Sequence, residues 1–146
     1  MWTCGNSGGE NWVSEYLVDT SVWVEFLRGE KTAIKKRLEK LLDENRAVVS
    51  GIILAELLTG IHNEKDQDFL EESFLGLPFL EATRDIFAMA GKMGASMRKK
   101  GFNMPLSDLL IAALAKAHGL TVLTLDNHFQ TLARPLNVQM ELLKGL

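Results

Sequence analysis

The chain lacks the features that mark secreted and membrane proteins. Its single cysteine, Cys4, excludes a disulfide within the chain. No apolar run reaches the roughly 18 residues that a membrane-spanning helix requires. Residues 1–15 contain no basic stretch followed by an apolar one, so no signal peptide is expected. These absences favour a cytoplasmic protein with no membrane partner.

Positive charge is also scarce, because 16 Lys and Arg face 19 Asp and Glu and leave a net charge of -3. A simple basic coat for binding nucleic acid is therefore absent. A nuclease is not excluded, since clustered carboxylates lower the net charge and bound divalent cations restore it locally. The 47% hydrophobic content is typical of a globular protein with a real core.

The pattern of apolar and turn-forming residues predicts one domain over residues 16–146, preceded by a flexible leader over residues 1–15. Short apolar runs predict strands at residues 16–19, 47–50, 77–82, 121–125 and 137–140. Helical spacing predicts helices at residues 22–27, 31–45, 52–62, 66–75, 83–100 and 108–118. We expect Phe87 to share one side of its helix with Ala90, Gly94 and Met97, and Ser107 to cap the last helix. Strands alternating with helices indicate an α/β fold with a parallel sheet covered on both faces.

Two of the predicted strands end on an aspartate. Asp19 follows the first strand and Asp126 follows the run at residues 121–125. In a parallel sheet both carboxylates would lie at the same edge, where chemistry collects. Like charges held close repel unless a proton or a cation lies between them. Each aspartate could alternatively cap the helix that follows it.

Two further acids occupy suggestive positions. Asp108 opens a helix that is apolar nearly all round and is therefore expected to be buried. The helix dipole stabilises a carboxylate there without any function, yet burial makes an unpaired charge costly unless a metal or hydrogen bonds offset it. Glu56 lies off the apolar stripe of its helix, so the residues alone favour a solvated glutamate.

Short polar residues beside the aspartates are possible accessory groups: Ser21, Thr124 and Asn127. They could bind a phosphate or a metal-bound water, and local turn hydrogen bonding explains them equally well. Basic residues near helix ends are candidates for phosphate contacts: Arg28, Lys99 and Lys100. Solvated helix ends would explain these cations as well.

Four sequence runs resemble, in order, the motifs of the PIN domain. They are YLVDTSVW from Tyr16, AELLTG from Ala55, PLSDLLIAA from Pro105 and LTLDNHF from Leu123. More closely, from Tyr16 to the C-terminus the chain resembles the VapC-type toxin ribonucleases of bacterial toxin–antitoxin pairs. The resemblance places the family's four acids on Asp19, Glu56, Asp108 and Asp126. Its accompanying hydroxyl falls on Thr20 or Ser21.

The resemblance implies a three-layer α/β/α sandwich with a central parallel sheet. It also implies a homodimer and an antitoxin partner that covers the acidic site. The expected activity is hydrolysis of RNA phosphodiester bonds by a metal-dependent endoribonuclease. Oxygen ligands suit Mg²⁺ or Mn²⁺, whereas the chain offers no cluster of cysteines or histidines for zinc. Asp19, Asp108 and Asp126 would hold the metal, with Glu56 acting directly or through water.

Other functions stay open at this point. A PIN nuclease could act in RNA processing or on DNA, or the chain could be a non-catalytic module that binds an antitoxin and DNA. A phosphatase of the haloacid dehalogenase type would need a second acid where Ser21 stands. A response-regulator receiver would need an acidic pair and a lysine that we cannot place.

Overall fold

The computed structural model describes residues 15–144. Its strands are β1 (Tyr16–Val18), β2 (Ala47–Ser50), β3 (Phe79–Leu80), β4 (Thr121–Thr124) and β5 (Met140–Leu142). They form one sheet in the order β3-β2-β1-β4-β5. All neighbouring strands run parallel. The parallel sheet expected from the sequence is confirmed.

Helices cover both faces of this sheet. They are α1 (Thr20–Leu27), α2 (Ala33–Asp43), α3 (Gly51–Thr59), α4 (Glu64–Phe74), α5 (Arg84–Lys99), α6 (Leu106–His118) and α7 (His128–Leu136). α1 packs against α2 and α3, whereas α5 packs against α6 and α7. The three-layer α/β/α architecture is therefore confirmed. Among residues 15–144, no helix combines the length and apolar character needed to cross a bilayer.

The core follows from the composition of the central strands and of α6. Leu17 and Val18 of β1 and Val122 and Leu123 of β4 are fully buried, as expected for parallel strands covered on both faces. In α6 seven consecutive residues, 109–115, are buried, which confirms the prediction for this helix. α6 packs against both β1 and β4, so its first turn is fixed relative to the middle of the sheet.

α5 and α6 pack closely because a glycine lies between them. A Cβ added to Gly94 would come within 2.9 Å of Leu109 Cδ1 on α6, so a larger residue here would require the Leu109 side chain to move. Gly94 and Arg98 line the same groove as Leu106. The C-terminal half of α5 thus lies beside the first turn of α6.

Several predicted details were wrong. α6 begins at Leu106 after Pro105, so Ser107 lies inside the helix rather than at its cap. Phe87 is 54% exposed, because α5 turns Ile86 toward the core instead. The last strand starts at Met140, three residues later than the prediction. α7 was not predicted, and Pro135 in its last turn weakens its helical pattern.

The predicted leader lies almost wholly outside the described residues, as do residues 145 and 146. Glu15, its last residue, precedes β1. Its amide donates to the Arg46 carbonyl at 3.1 Å, and its carbonyl accepts from the Thr121 amide at 2.8 Å.

Candidate active site

The candidate site lies where the order in which the chain adds strands to the sheet reverses. From β1 the chain proceeds to β2 and β3 on one side and later returns to β4 and β5 on the other. Ligands of open α/β sheets bind outside the strand ends at such a switch point. Asp19 follows β1 and its amide donates to the Leu123 carbonyl of β4 at 2.9 Å. Asp126 comes two residues after β4, so both acids lie at this edge, as predicted.

Asp19 is buried and held by two hydroxyls. It is only 6% exposed, and its Oδ2 accepts from Ser21 Oγ at 2.7 Å and from Thr124 Oγ1 at 2.9 Å. Burial raises the pKa of Asp19 above its ordinary value, while the two hydroxyls and the Thr20 and Ser21 amides oppose the rise. Asp19 occupies the N-cap position of α1, where the amides of the first turn favour its charge, but its side-chain hydrogen bonds go to the two hydroxyls.

The same two hydroxyls tie the first turn of α1 to the turn after β4. Ser21 Oγ accepts from the Leu125 amide at 3.0 Å, and Thr124 Oγ1 accepts from the Asp126 amide at 2.9 Å. Each hydroxyl donates its one proton to Asp19 and accepts from one backbone amide, so each links the carboxylate to the turn. For Ser21 and Thr124 the structure thus shows the hydrogen bonding that was the alternative to a role in binding phosphate or water. Asn127 is exposed at the N-cap of α7 and makes no capping bond.

Asp126 combines a local role with a place in the site. Its Oδ1 accepts from the His128 amide at 2.9 Å, and His128 Nδ1 lies 3.0 Å from the same oxygen. This hydrogen bond occupies one oxygen of the carboxylate, whereas the N-cap position of α7, the alternative considered for Asp126, is held by Asn127. Asp126 Oδ2 accepts from no side chain among the described residues.

Glu56 is not the solvated glutamate that the residues alone favoured. It is half-buried on α3, and its Oε1 accepts from Thr20 Oγ1 of α1 at 2.8 Å. The two residues are 36 positions apart, so no local pattern predicts this contact. Only the resemblance indicated Glu56, and only the position of Thr20 beside Asp19 hinted at its hydroxyl.

Asp108 interacts electrostatically with the other three acids. It is half-buried in the first turn of α6. Burial raises its pKa to about 6, and the charges of Asp19, Asp126 and Glu56 add to the rise, while His128 opposes it. Because Coulomb interactions fall with distance, these contributions indicate that the four carboxylates lie near one another.

The cluster is open rather than closed into a ligand shell. Within residues 15–144, no three His, Cys, Asp or Glu side chains are arranged as a formed metal-ligand set. The donor chemistry nevertheless fits a hard cation, since the coupled groups are oxygen donors that repel one another. His128 is the one imidazole coupled to them, which does not fit the usual zinc sites. The carboxylate oxygens would have to move closer together to form a metal-ligand set.

The basic candidates divide into two places. Arg28 follows α1, whose 8 residues carry it about 12 Å along the helix from Asp19, and it pairs with Glu25 at 3.3 Å. Lys99 and Lys100 end α5, at the end that lies beside the first turn of α6. The structure thus brings the two lysines toward the Asp108 end of the site and leaves Arg28 away from it.

Comparisons with known proteins agree with this architecture. A profile of the PIN domain matches residues 16–135. The VapC ribonuclease Mb1587 of Mycobacterium bovis is 34% identical over 127 residues, covering 84% of this chain and 95% of that protein. The structure of VapBC2 from Rickettsia felis, bound to a promoter DNA fragment, aligns with a TM-score of 0.73 at 25% identity, covering 88% and 98% of the two chains. FitAcB from Neisseria gonorrhoeae aligns with a TM-score of 0.69 at 28% identity, covering 86% and 95%. This chain therefore belongs to the PIN domain family, in which it groups with the VapC ribonucleases.

Proposed function

We propose that this chain is the toxin of a toxin–antitoxin pair and that it hydrolyses RNA phosphodiester bonds. The observation that carries the proposal is the placement of acids at the switch point of the sheet. Asp19 follows β1 and Asp126 follows the neighbouring strand β4, while Glu56 is bonded to Thr20, the residue after Asp19. The charges of these three acids contribute to the raised pKa of Asp108. The 34% identity to a VapC ribonuclease supports the choice of RNA as substrate.

Three of the acids would each offer one oxygen to a divalent cation. Asp19 is bound through Oδ2, Asp126 through Oδ1 and Glu56 through Oε1. The second oxygen of each accepts from no side chain in the described part of the chain. Hydrogen bonds to one oxygen therefore fix each carboxylate and leave the other oxygen available as a ligand.

The proposed cofactor is Mg²⁺ or Mn²⁺, held by Asp19, Asp108 and Asp126, with Glu56 acting directly or through water. When bound, the cation activates a water and stabilises the charge that develops on the phosphate. The Ser21 and Thr124 hydroxyls hold Asp19 and the turn that carries Asp126, and Thr20 holds Glu56. The expected products carry a 5′-phosphate and a 3′-hydroxyl.

Unpaired RNA is the favoured substrate, because its backbone can reach a recessed acidic site. Lys99 and Lys100, at the end of α5 that lies beside the first turn of α6, are the proposed phosphate contacts. Phe102, 43% exposed, follows them and lines a groove of about 880 Å³ together with Arg134 of α7. An aromatic face beside a cation can stack a base and hold its phosphate. Arg28 is less well placed for this role.

An antitoxin is the proposed protein partner. Apolar side chains are exposed on α1 and α4: Val24, Leu27, Phe69 and Leu75. The two helices are adjacent, since the rings of Trp23 and Phe74 lie 4.9 Å apart. Exposed apolar side chains on neighbouring helices fit a protein partner. On the family resemblance we also propose a homodimer that works in the cytoplasm.

The decisive experiment is cleavage of a mixed RNA pool by the purified protein. Reactions contain Mg²⁺, Mn²⁺ or EDTA, with Asp19→Asn as the test variant and Asp68→Asn, an exposed acid on α4, as the matched control. We expect cutting that requires metal, survives Asp68→Asn and is lost in Asp19→Asn. Cutting of a DNA pool instead would favour the DNA nuclease. A folded protein that cuts neither pool would favour the non-catalytic binding module.

A further inference from the structure

The first two residues of α1 hold two different acids. Thr20 Oγ1 donates to Glu56 Oε1 at 2.8 Å, and Ser21 Oγ donates to Asp19 Oδ2 at 2.7 Å. Successive residues of an α-helix point about 100° apart, so neighbouring hydroxyls can reach different elements. Ser21 binds the acid at the end of β1, whereas Thr20 binds the acid on α3. The sequence motif alone did not distinguish these two hydroxyls.

Glu56 depends on Thr20 more than Asp19 depends on either of its hydroxyls. Asp19 is held by Ser21 and by Thr124, so the loss of one hydroxyl leaves the other. Among residues 15–144, Thr20 is the side chain that donates to Glu56. Glutamate also has one more rotatable bond than aspartate, and without a partner its carboxylate would sample several positions.

A hydroxyl is the type of partner that keeps the negative charge of Glu56 available. A lysine or arginine at the same place would fix the carboxylate but would also neutralise it. No ion pair within the described residues includes Glu56. The contact with Thr20 therefore restricts the position of the carboxylate while its charge still contributes to the coupled cluster around Asp108.

We infer that Thr20 is a positioning residue that holds Glu56 through Oε1, so that Oε2 remains available to a divalent cation in the acidic site. The inference rests on the proposed function only for the presence of that cation. Thr20 itself touches neither the cation nor RNA. Its removal should therefore weaken binding of the cation and leave the fold and the other acids in place.

The test compares Thr20→Val, which keeps the shape but loses the hydroxyl, with Thr20→Ser, which keeps the hydroxyl. Binding of Mn²⁺ alone to EDTA-treated protein, freed of the chelator, is measured by titration calorimetry. We expect Thr20→Val to raise the Kd for Mn²⁺ by about ten- to 100-fold, the worth of one hydrogen bond to a charged group. Thr20→Ser should remain within about twofold of the unaltered protein on the same reasoning. Thr20→Ala serves as a second variant without the hydroxyl in case Thr20→Val fails to fold.

A double-mutant cycle with Glu56→Gln separates positioning from a general structural role. If Thr20 acts through Glu56, adding Thr20→Val to Glu56→Gln should change the Mn²⁺ affinity little further. High Mn²⁺ should also restore much of the RNA cleavage of Thr20→Val. Unchanged Mn²⁺ affinity in folded Thr20→Val, or full additivity with Glu56→Gln, would overturn the inference. Mn²⁺ binding without RNA cleavage by the unaltered protein would overturn the proposed function and leave the role of Thr20 standing.

Discussion

The charge of Asp108 should destabilise the metal-free protein at neutral pH. Its pKa of about 6 in the folded protein lies above the ordinary value of 3.8, so the folded state binds this proton more tightly than the unfolded state does. The resulting stabilisation is fully present below about pH 4 and is lost as the pH rises through about 6. Asp108→Asn keeps the size of the side chain and removes the charge. The unfolding free energy of the variant should therefore not fall in this way as the pH rises through about 6.

The magnitude follows from the same difference in pKa. With complete burial it would correspond to about 3 kcal/mol of unfolding free energy. Because Asp108 is only half-buried, screening by solvent reduces this to about 1–1.5 kcal/mol. In a domain of this size such a gain should raise the Tm of the metal-free variant by about 3–5 °C at pH 7.5. At pH 4 the variant and the unaltered protein should melt together.

The assay is thermal unfolding in EDTA, followed by circular dichroism between pH 4 and pH 7.5. Asp68→Asn provides the control for a general effect of losing one negative charge. Adding Mg²⁺ should then stabilise the unaltered protein more than Asp108→Asn, because the cation binds the folded cluster. Parallel pH profiles for Asp108→Asn and the unaltered protein in EDTA would refute the electrostatic coupling of the acids.

Three further outcomes are expected. Asp19→Asn should lower metal-dependent RNA cleavage on the order of 100-fold or more with little change in Tm, and a folded, fully active variant would contradict its proposed role. Thr124→Val should lower the unfolding free energy measured in urea by about 1–2 kcal/mol, because its buried hydroxyl joins Asp19 to the β4–α7 turn. In the Asp19→Asn background, Lys99→Gln with Lys100→Gln should reduce the salt slope of single-stranded RNA binding by about 1.4, whereas Arg28→Gln should leave it unchanged. Equal slopes for all of these proteins in fluorescence anisotropy would place the RNA elsewhere.

The sequence predicted best those features whose signal is local. The apolar strands and the buried stretch of α6 follow from short patterns, and the convergence of Asp19 and Asp126 follows from parallel strand order. α7 was missed although Phe129, Leu132 and Leu136 have helical spacing, because Pro135 lies among them. The spacing would have identified the helix if the proline had been assigned to its last turn.

Features that depend on contacts between distant segments could not be predicted. The Thr20–Glu56 bond joins residues 36 apart, and the Thr124–Asp19 bond joins residues 105 apart. The local sequence around each of these residues is the same as that expected for a solvated side chain or a turn residue. The pKa of Asp108 likewise depends on how four segments fold together.

Two of the four acids lie in the first part of the chain and two in the second. The site therefore forms only when the two parts of the chain associate. The connection between α3 and α4 separates a segment with Asp19 and Glu56 from a segment with Asp108 and Asp126. We expect a chain cut there to yield two fragments that are each harmless to a cell. Since β1 of the first fragment pairs with β4 of the second, mixing them could rebuild the sheet and its edge. Such a split protein would report on the association of any two proteins fused to its fragments.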